Sequence, residues 1–373
     1  MTGSLLWMTT SAAQASPWVV KTLTDRAAEA LPASPWLTLA YLAGSLAALG
    51  ALVSFLGMYL IYVERKLAAH FQCRLGPMRV GPHGLFQTVA DSIKLLLKED
   101  IVPERADRAM HLLAPFLSMS ATVLALAVLP YSPSLQIADV NIGVLYITAV
   151  GGLGVMGTLL AGWSSNNKWS LIGAMRAAAQ IISYEVSATM ALLVVVLFAG
   201  TLSLSGIVQS QAAGWWIWRA PGVGLVAFTI YLIASTAETN RTPFDIPEGE
   251  SELTAGFHTE YSGLRFSFFF LAEFINVFVV SAMAVTLFLG GWMPFRVGGL
   301  DGLNAVMGLL PPGGWFLLKT CGVVFLLMWS RWTFPRLRVD QLMRLEWKFL
   351  LPVGFVNLAA SALLVLWNLY FFP

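Results

Sequence analysis

The sequence predicts an all-α, polytopic membrane protein with about eight transmembrane helices, and amphipathic helices lying along the membrane in its cytoplasmic loops. Three observations predict it. Of 373 residues, 57% are hydrophobic and 11% charged, where a soluble domain carries about 25% charged residues. The mean hydropathy is +0.73. The apolar residues form runs near the roughly 20 residues that a spanning helix needs, and Lys and Arg gather between alternate runs. Such a composition excludes a water-soluble globule, a disordered chain and a nucleic-acid binder. The net charge of +2 implies no acidic partner.

Residues 1–36 form an N-terminal arm, and residues 37–373 a single membrane domain. In the arm, Ser11 to Ser16 has the small residues of a cleavage site but no basic stretch before it. Residues 17–31 have the pattern of a surface amphipathic helix. The spans follow in order: Leu37–Val63, His111–Leu129 ended by Pro130 and Pro133, Ile142–Trp163, Ala177–Gly200, Gly222–Ala237, Phe266–Gly290, Trp315–Trp332 and Leu350–Phe372. Helices are expected because lipid offers no partner to exposed backbone groups. The fifth is short and the seventh contains Lys319.

Seventeen of the 22 Lys and Arg residues fall in the odd loops, eight of them in loop 62–110. The positive-inside rule puts the odd loops in the cytoplasm, or in the matrix of an organelle, and both termini on the other side. A bacterial plasma membrane is expected ahead of a mitochondrial inner membrane.

Gly152, Gly154 and Gly157 spell G-x-G-x-x-G, but inside an apolar run with no βαβ unit around it. Small residues in a membrane helix serve close packing, so no dinucleotide site is expected. Cys73 and Cys321 lie far apart, and the four histidines include no H-x-x-x-H pair. The chain is therefore expected to bind no iron–sulfur cluster and no metal.

Loop 62–110 has two Gly-Pro turns at Gly76-Pro77 and Gly81-Pro82, then Leu85, Phe86, Val89, Ile93, Leu96 and Leu97 at helical spacing, opposite Asp91, Lys94 and Lys98. That is a helix lying along the interface or under a partner. Loop 238–265 carries six acids against two basic residues. Glu238 and Arg241 at i,i+3 are expected to pair at a helix end. Asp245 and Glu248 fit a capping box, and a following helix would put Glu248 and Glu252 on one face, with Glu250 elsewhere. Close carboxylates repel, so some would exchange protons. Glu185 and Glu273 lie inside spans, where a charge costs about 2.5–3.5 kcal/mol at the centre, so both are expected to face a polar interior or a proton path. Lys319 is open to the same reading, or to snorkelling.

Several stretches then carry a family resemblance: Glu64-Arg65-Lys66, Gln72, Arg74, Ala90-Asp91, Ala237-Glu238, Asn240-Arg241, Pro243-Phe244-Asp245, Glu250-Ser251-Glu252-Leu253 and Gly256-Phe257-His258-Thr259-Glu260-Tyr261-Ser262-Gly263. The chain resembles one family of membrane subunits of the proton-pumping NADH–quinone oxidoreductase, respiratory complex I: the family that includes mitochondrial subunit 1. Met78 and Thr88 depart from that pattern, where Asn and Pro are usual. The resemblance implies a membrane component with no redox centre, flavin or cluster of its own. It implies a chamber for ubiquinone or menaquinone, capped by two hydrophilic subunits and flanked by small membrane subunits and lipid. On that resemblance Glu64, Arg65 and Arg74 shape quinone access, and Arg241 and Asp245 order the loop. Glu185, Glu238, Glu248, Glu250 and Glu252 carry charge coupling to proton translocation. The rivals are the equivalent component of a membrane-bound nickel–iron hydrogenase, a secondary ion transporter and a purely structural anchor. The His258–Gly263 stretch favours complex I.

Overall fold

The computed structural model describes residues 35–220, 222–247, 249, 254–295 and 307–367. The N-terminal arm with its cleavage-like stretch, and Glu248, Glu250 and Glu252, lie outside these residues. Of the described residues 74% are helical, and among them β-pairing is limited to one bridge between Ser132 and Leu135.

Among the described residues, seven helices are long and apolar enough to cross a membrane. They are α1 (Pro35–Phe71), α3 (Arg108–Val128), α4 (Gly143–Ser164), α5 (Lys168–Ala199), α9 (Gly263–Phe288), α10 (Pro312–Thr333) and a final unit over Val339–Trp367. The final unit consists of α11 (Val339–Leu345), a π turn (Glu346–Leu350) and α12 (Leu351–Trp367). Two of them outrun the expected spans at the basic end: α1 continues past Val63 to Phe71, and α5 begins at Lys168. Polar residues tolerated beyond the lipid extend them, and side-chain caps set their starts. Asn167 caps α5, and Asp107 caps α3 through Ala109 and Met110.

The short elements are α2 (Gln87–Leu97), α6 (Leu204–Ser210) and α7 (Trp216–Arg219). The fifth apolar stretch is α8 (Val223–Glu238), a helix of 16 residues, or about 24 Å. It stops short of the basic end, so the chain after it, Thr239 to Pro247, lies largely buried inside the bundle. Irregular backbone at such depth is tolerated only where protein or a cavity surrounds it. Gln180 of α5 supplies that surrounding. Its Nε2 donates to the carbonyls of Ala237 and Phe244, each at 2.8 Å, and to Asn240 Oδ1 at 3.2 Å.

The bundle is built around α9, whose apolar window is 72% buried, against 17% for α1. Exposed tryptophans mark both ends, as in interfacial belts. Trp163, Trp169, Trp329, Trp332 and Trp347 ring the basic end, and Trp36, Trp218 and Trp367 the other. Gly157 acts in packing: a Cβ there would stand 2.3 Å from Ser118 Oγ and 3.1 Å from the Ala114 carbonyl. Among the described residues, Lys319 meets carbonyls and no carboxylate. Its ammonium donates to the carbonyls of Leu289, Gly291 and Met293 at 2.6, 3.0 and 2.6 Å, and stands 4.3 Å from the Trp215 ring centre. It caps the negative end of the α9 dipole.

Candidate functional site

The buried loop after α8 brings Arg241 into the interior. Its Nη1 donates to both oxygens of Glu64 on α1, at 2.8 and 2.7 Å. Its Nη2 stands 3.3 Å from Glu273 Oε1 on α9, and the guanidinium lies 4.4 Å from the Phe274 ring centre. Arg331 of α10 also donates to Glu64. Two carboxylates and two guanidiniums thus balance. Glu64 and Arg241 side chains are 7% and 4% exposed, so removing one partner would strand a buried charge. The expected Glu238–Arg241 pair does not form. The helix ends at Glu238 and Asn240 takes a positive φ of 49°, so the i,i+3 geometry is lost and Arg241 turns to Glu64 and Glu273.

Beside this network lies a cavity of about 160 Å³. Glu185, Glu238, Glu273, Asn276, Tyr231 and His258 line it, together with Thr122, Thr148, Thr158 and Thr189. Its lining on α9 runs from Phe266 to Met283, about 25 Å along a helix axis. Asn276 donates a side-chain hydrogen bond to Glu238, and Glu185 lies near enough to act on Glu238 electrostatically. The Tyr231 hydroxyl donates to the Val280 carbonyl at 3.1 Å. Three carboxyls, an amide and several hydroxyls around one partly open space can hold water and exchange protons.

The segment after the loop closes the basic end. Ser170 donates to the Phe257 carbonyl at 2.9 Å, and Asn167 to Glu260 at 2.5 Å. The Tyr261 ring stacks on His111 at 3.9 Å, and burial pushes its hydroxyl up to about 12. His258 meets Phe257 and Phe266 edge-on. Burial lowers its pKa to about 4, so it stands neutral against the cavity.

Loop 62–110 folds as expected over its helix α2. The exposed side chains of Leu85, Phe86, Val89, Ile93, Leu96 and Leu97 form one apolar stripe. Arg65 pairs with Asp91 and ties this helix to α1. Arg74 is exposed, donates to Gln72 at 2.6 Å, and stands apart from the Glu64 network. Asp245 pairs with Arg336 at 2.9 Å, and the Leu337 amide donates to the Pro243 carbonyl at 2.9 Å. Of the expected residues, the structure therefore joins Glu64 with Arg241, and Glu185 with Glu238. Sequence reasoning did not place Arg331 and Asn276. Arg331 reads as one more basic residue after a span, and its partner lies 267 positions away. Asn276 has a legible signal, an amide inside an apolar span one turn from Glu273.

The fold and this site define a class: a polytopic, all-helical membrane protein built around an internal carboxyl array. A family model described as NADH dehydrogenase matches residues 44–362. Among its relatives, the H subunit of the NADH-quinone oxidoreductase of Bacteroides fragilis is 54% identical over 321 residues, 86% of this chain and 90% of that one. The corresponding protein of Phocaeicola vulgatus is 51% identical over 316 residues, 85% and 88% of the two chains. That of Geobacillus kaustophilus is 48% identical over 333 residues, 89% and 96%. The chain belongs to this NADH dehydrogenase family.

Proposed function

We propose that this chain is the membrane subunit of an NADH–quinone oxidoreductase of the bacterial plasma membrane, and that it links quinone reduction to proton movement. The observation that carries this reading is the meeting of Glu185, Glu238 and Glu273 around one cavity, directly beside the Glu64–Arg241–Arg331 network. Quinone reduction adds negative charge to the headgroup and draws protons. A preorganised set of guanidiniums and carboxyls nearby responds to that charge with little reorganisation. Glu64 and Arg65 on α1 sit where the helix leaves the bundle, beside the apolar stripe of α2, and shape quinone access from the bilayer. Arg241 and Asp245 hold the loop. Glu185 and Glu238 pass the charge change into the cavity, from which neighbouring subunits take it up. Arg74 serves at the junction with the hydrophilic subunits, and Glu248, Glu250 and Glu252 take part in the same charge coupling. The odd loops face the cytoplasm, and the quinone is ubiquinone or menaquinone.

The test is Glu185→Gln and Glu238→Gln in the assembled complex, reconstituted in vesicles. NADH-driven quinone reduction and proton translocation should fall together, with NADH oxidation by an artificial acceptor retained. If both activities survive either substitution, that position carries no coupling role.

A further inference from the structure

One buried acid stands outside the cavity and outside the ion-pair network. Glu346 lies between Arg344 and Lys348, a setting that reads in sequence as a solvated, paired carboxylate. The structure does the reverse. Arg344 and Lys348 are exposed, and Glu346 is 0% exposed. It opens the π turn Glu346–Leu350, and isolated π turns inside helices concentrate at functional positions. Ser187 of α5 donates to its Oε1. Its Oε2 is sealed from solvent with no hydrogen-bond partner, and among the described residues no cation pairs with it.

The groups facing it complete the setting. From α5 come Ser187 and the buried Tyr184, whose hydroxyl donates to the Leu342 carbonyl at 3.1 Å. The helix that follows, Leu351–Trp367, carries no charged residue. Gln180, Tyr184 and Ser187 fall at i, i+4 and i+7, so they share one face of α5. Gln180 holds the buried loop by the Phe244 carbonyl and Asn240 Oδ1, and the Tyr184 ring packs 5.2 Å from that of Phe244 in the same loop. Glu185 and Thr189 line the cavity from α5. The chain before Glu346 also grips the loop, through Arg336–Asp245 and through the Leu337 amide on the Pro243 carbonyl.

We propose that Glu346 is a positioning residue that holds an exchangeable proton, and that gaining or losing this proton changes the grip of the Arg336–Glu346 segment on the buried loop. A sealed carboxyl with one donor and no cation fits its site as the neutral acid. On release, the π turn Glu346–Leu350 opens to admit water from beside the exposed Trp347–Lys348 turn, the proton passes to that water, and the Ser187 donor stays with the carboxylate. Whether the exchange follows turnover rests on the proposed coupling function. That the site holds a proton does not.

Infrared difference spectroscopy on the assembled complex tests both parts. The wild type should show a carbonyl band of a neutral carboxylic acid that shifts in deuterium oxide, is missing in Glu346→Gln, and moves in Ser187→Ala. Its intensity should differ between the oxidised and the quinol-reduced complex. A spectrum unchanged by Glu346→Gln overturns the proposal, because Glu346 is then ionised. A band assigned to Glu346 but identical in both redox states also overturns it, leaving a static core acid. If Glu346→Gln does not assemble, the band shift in Ser187→Ala carries the same decision. Glu185→Gln, run alongside, reads the coupling function separately: loss of coupled activity there with a static Glu346 band removes only this proposal.

Discussion

Removing the Arg241 side chain would leave Glu64 and Glu273 without their shared cation. Arg241→Met should therefore destabilise the protein by about 3–5 kcal/mol, the usual cost of breaking a buried pair from one side. Arg241→Lys should recover part of this, since one ammonium does not reproduce the fork that spans two carboxylates. Thermal unfolding of the detergent-solubilised complex measures both. Arg65→Met is the contrast: its pair with Asp91 is 42% and 33% exposed, so the loss should stay within about 1 kcal/mol. His258 gives a pH prediction. Its folded pKa of about 4 lies below the ordinary 6.5, so between these values the unfolded segment binds the proton and the folded one does not. The stability it contributes is full above about 6.5 and is lost as pH falls towards about 4. Protection factors across residues 256–262, corrected for the intrinsic pH dependence of exchange, should fall over that window, and His258→Phe should flatten the response. Glu64, Arg241 and Glu185 were each legible as candidates in the sequence. Their partners were not. Glu64 and Arg241 are 177 positions apart, and the nearer partner suggested by helical spacing, Glu238, fails because the helix stops at that residue.

At the scale of elements, periodicity and length located the far ends of α3, α4, α5, α9 and α10 to within a few residues, because burial in lipid is a property of the run itself. They missed how far helices continue into polar sequence at the basic end, where capping and contacts decide. The sixteen-residue α8 is the informative case. Its shortness was visible, but the consequence, a loop folded back into the bundle, depends on Gln180 being on α5 to receive it. The start of α5 has a second duty. Gly173 lies against the turn Gly256–His258, and a Cβ there would stand 2.8 Å from Gly256 Cα and 3.0 Å from the Phe257 amide nitrogen. Backbone cannot rotate away as a side chain can. Gly173→Ala should push the 256–262 segment off α5 and cost about 1–3 kcal/mol by overpacking. Gly152→Ala is the control, since nothing lies within 4 Å of its Cβ position. Limited proteolysis of the 254–262 segment should distinguish them, with faster cleavage for Gly173→Ala alone.

For the whole molecule, the question is which way the bundle stands in the membrane, because that decides which side supplies protons to the acid-lined cavity. The arginine network, Glu238 and His258 all lie towards the end that carries Trp163, Trp329, Trp332 and most of the basic residues. If the positive-inside rule holds, the carboxyls stand close to the cytoplasmic surface, and protons meeting reduced quinone come from that side. Two cysteine positions test it. Cys73 is exposed at the basic end, and Ser134 is exposed in the loop at the opposite end. In a Cys321→Ser background, a membrane-impermeant maleimide should label Cys73 only in inverted vesicles. In Ser134→Cys with Cys73 also replaced by Ser, it should label the new thiol only in right-side-out vesicles. The opposite pattern would invert the molecule and place the acid array on the far side, where it would release protons rather than take them up.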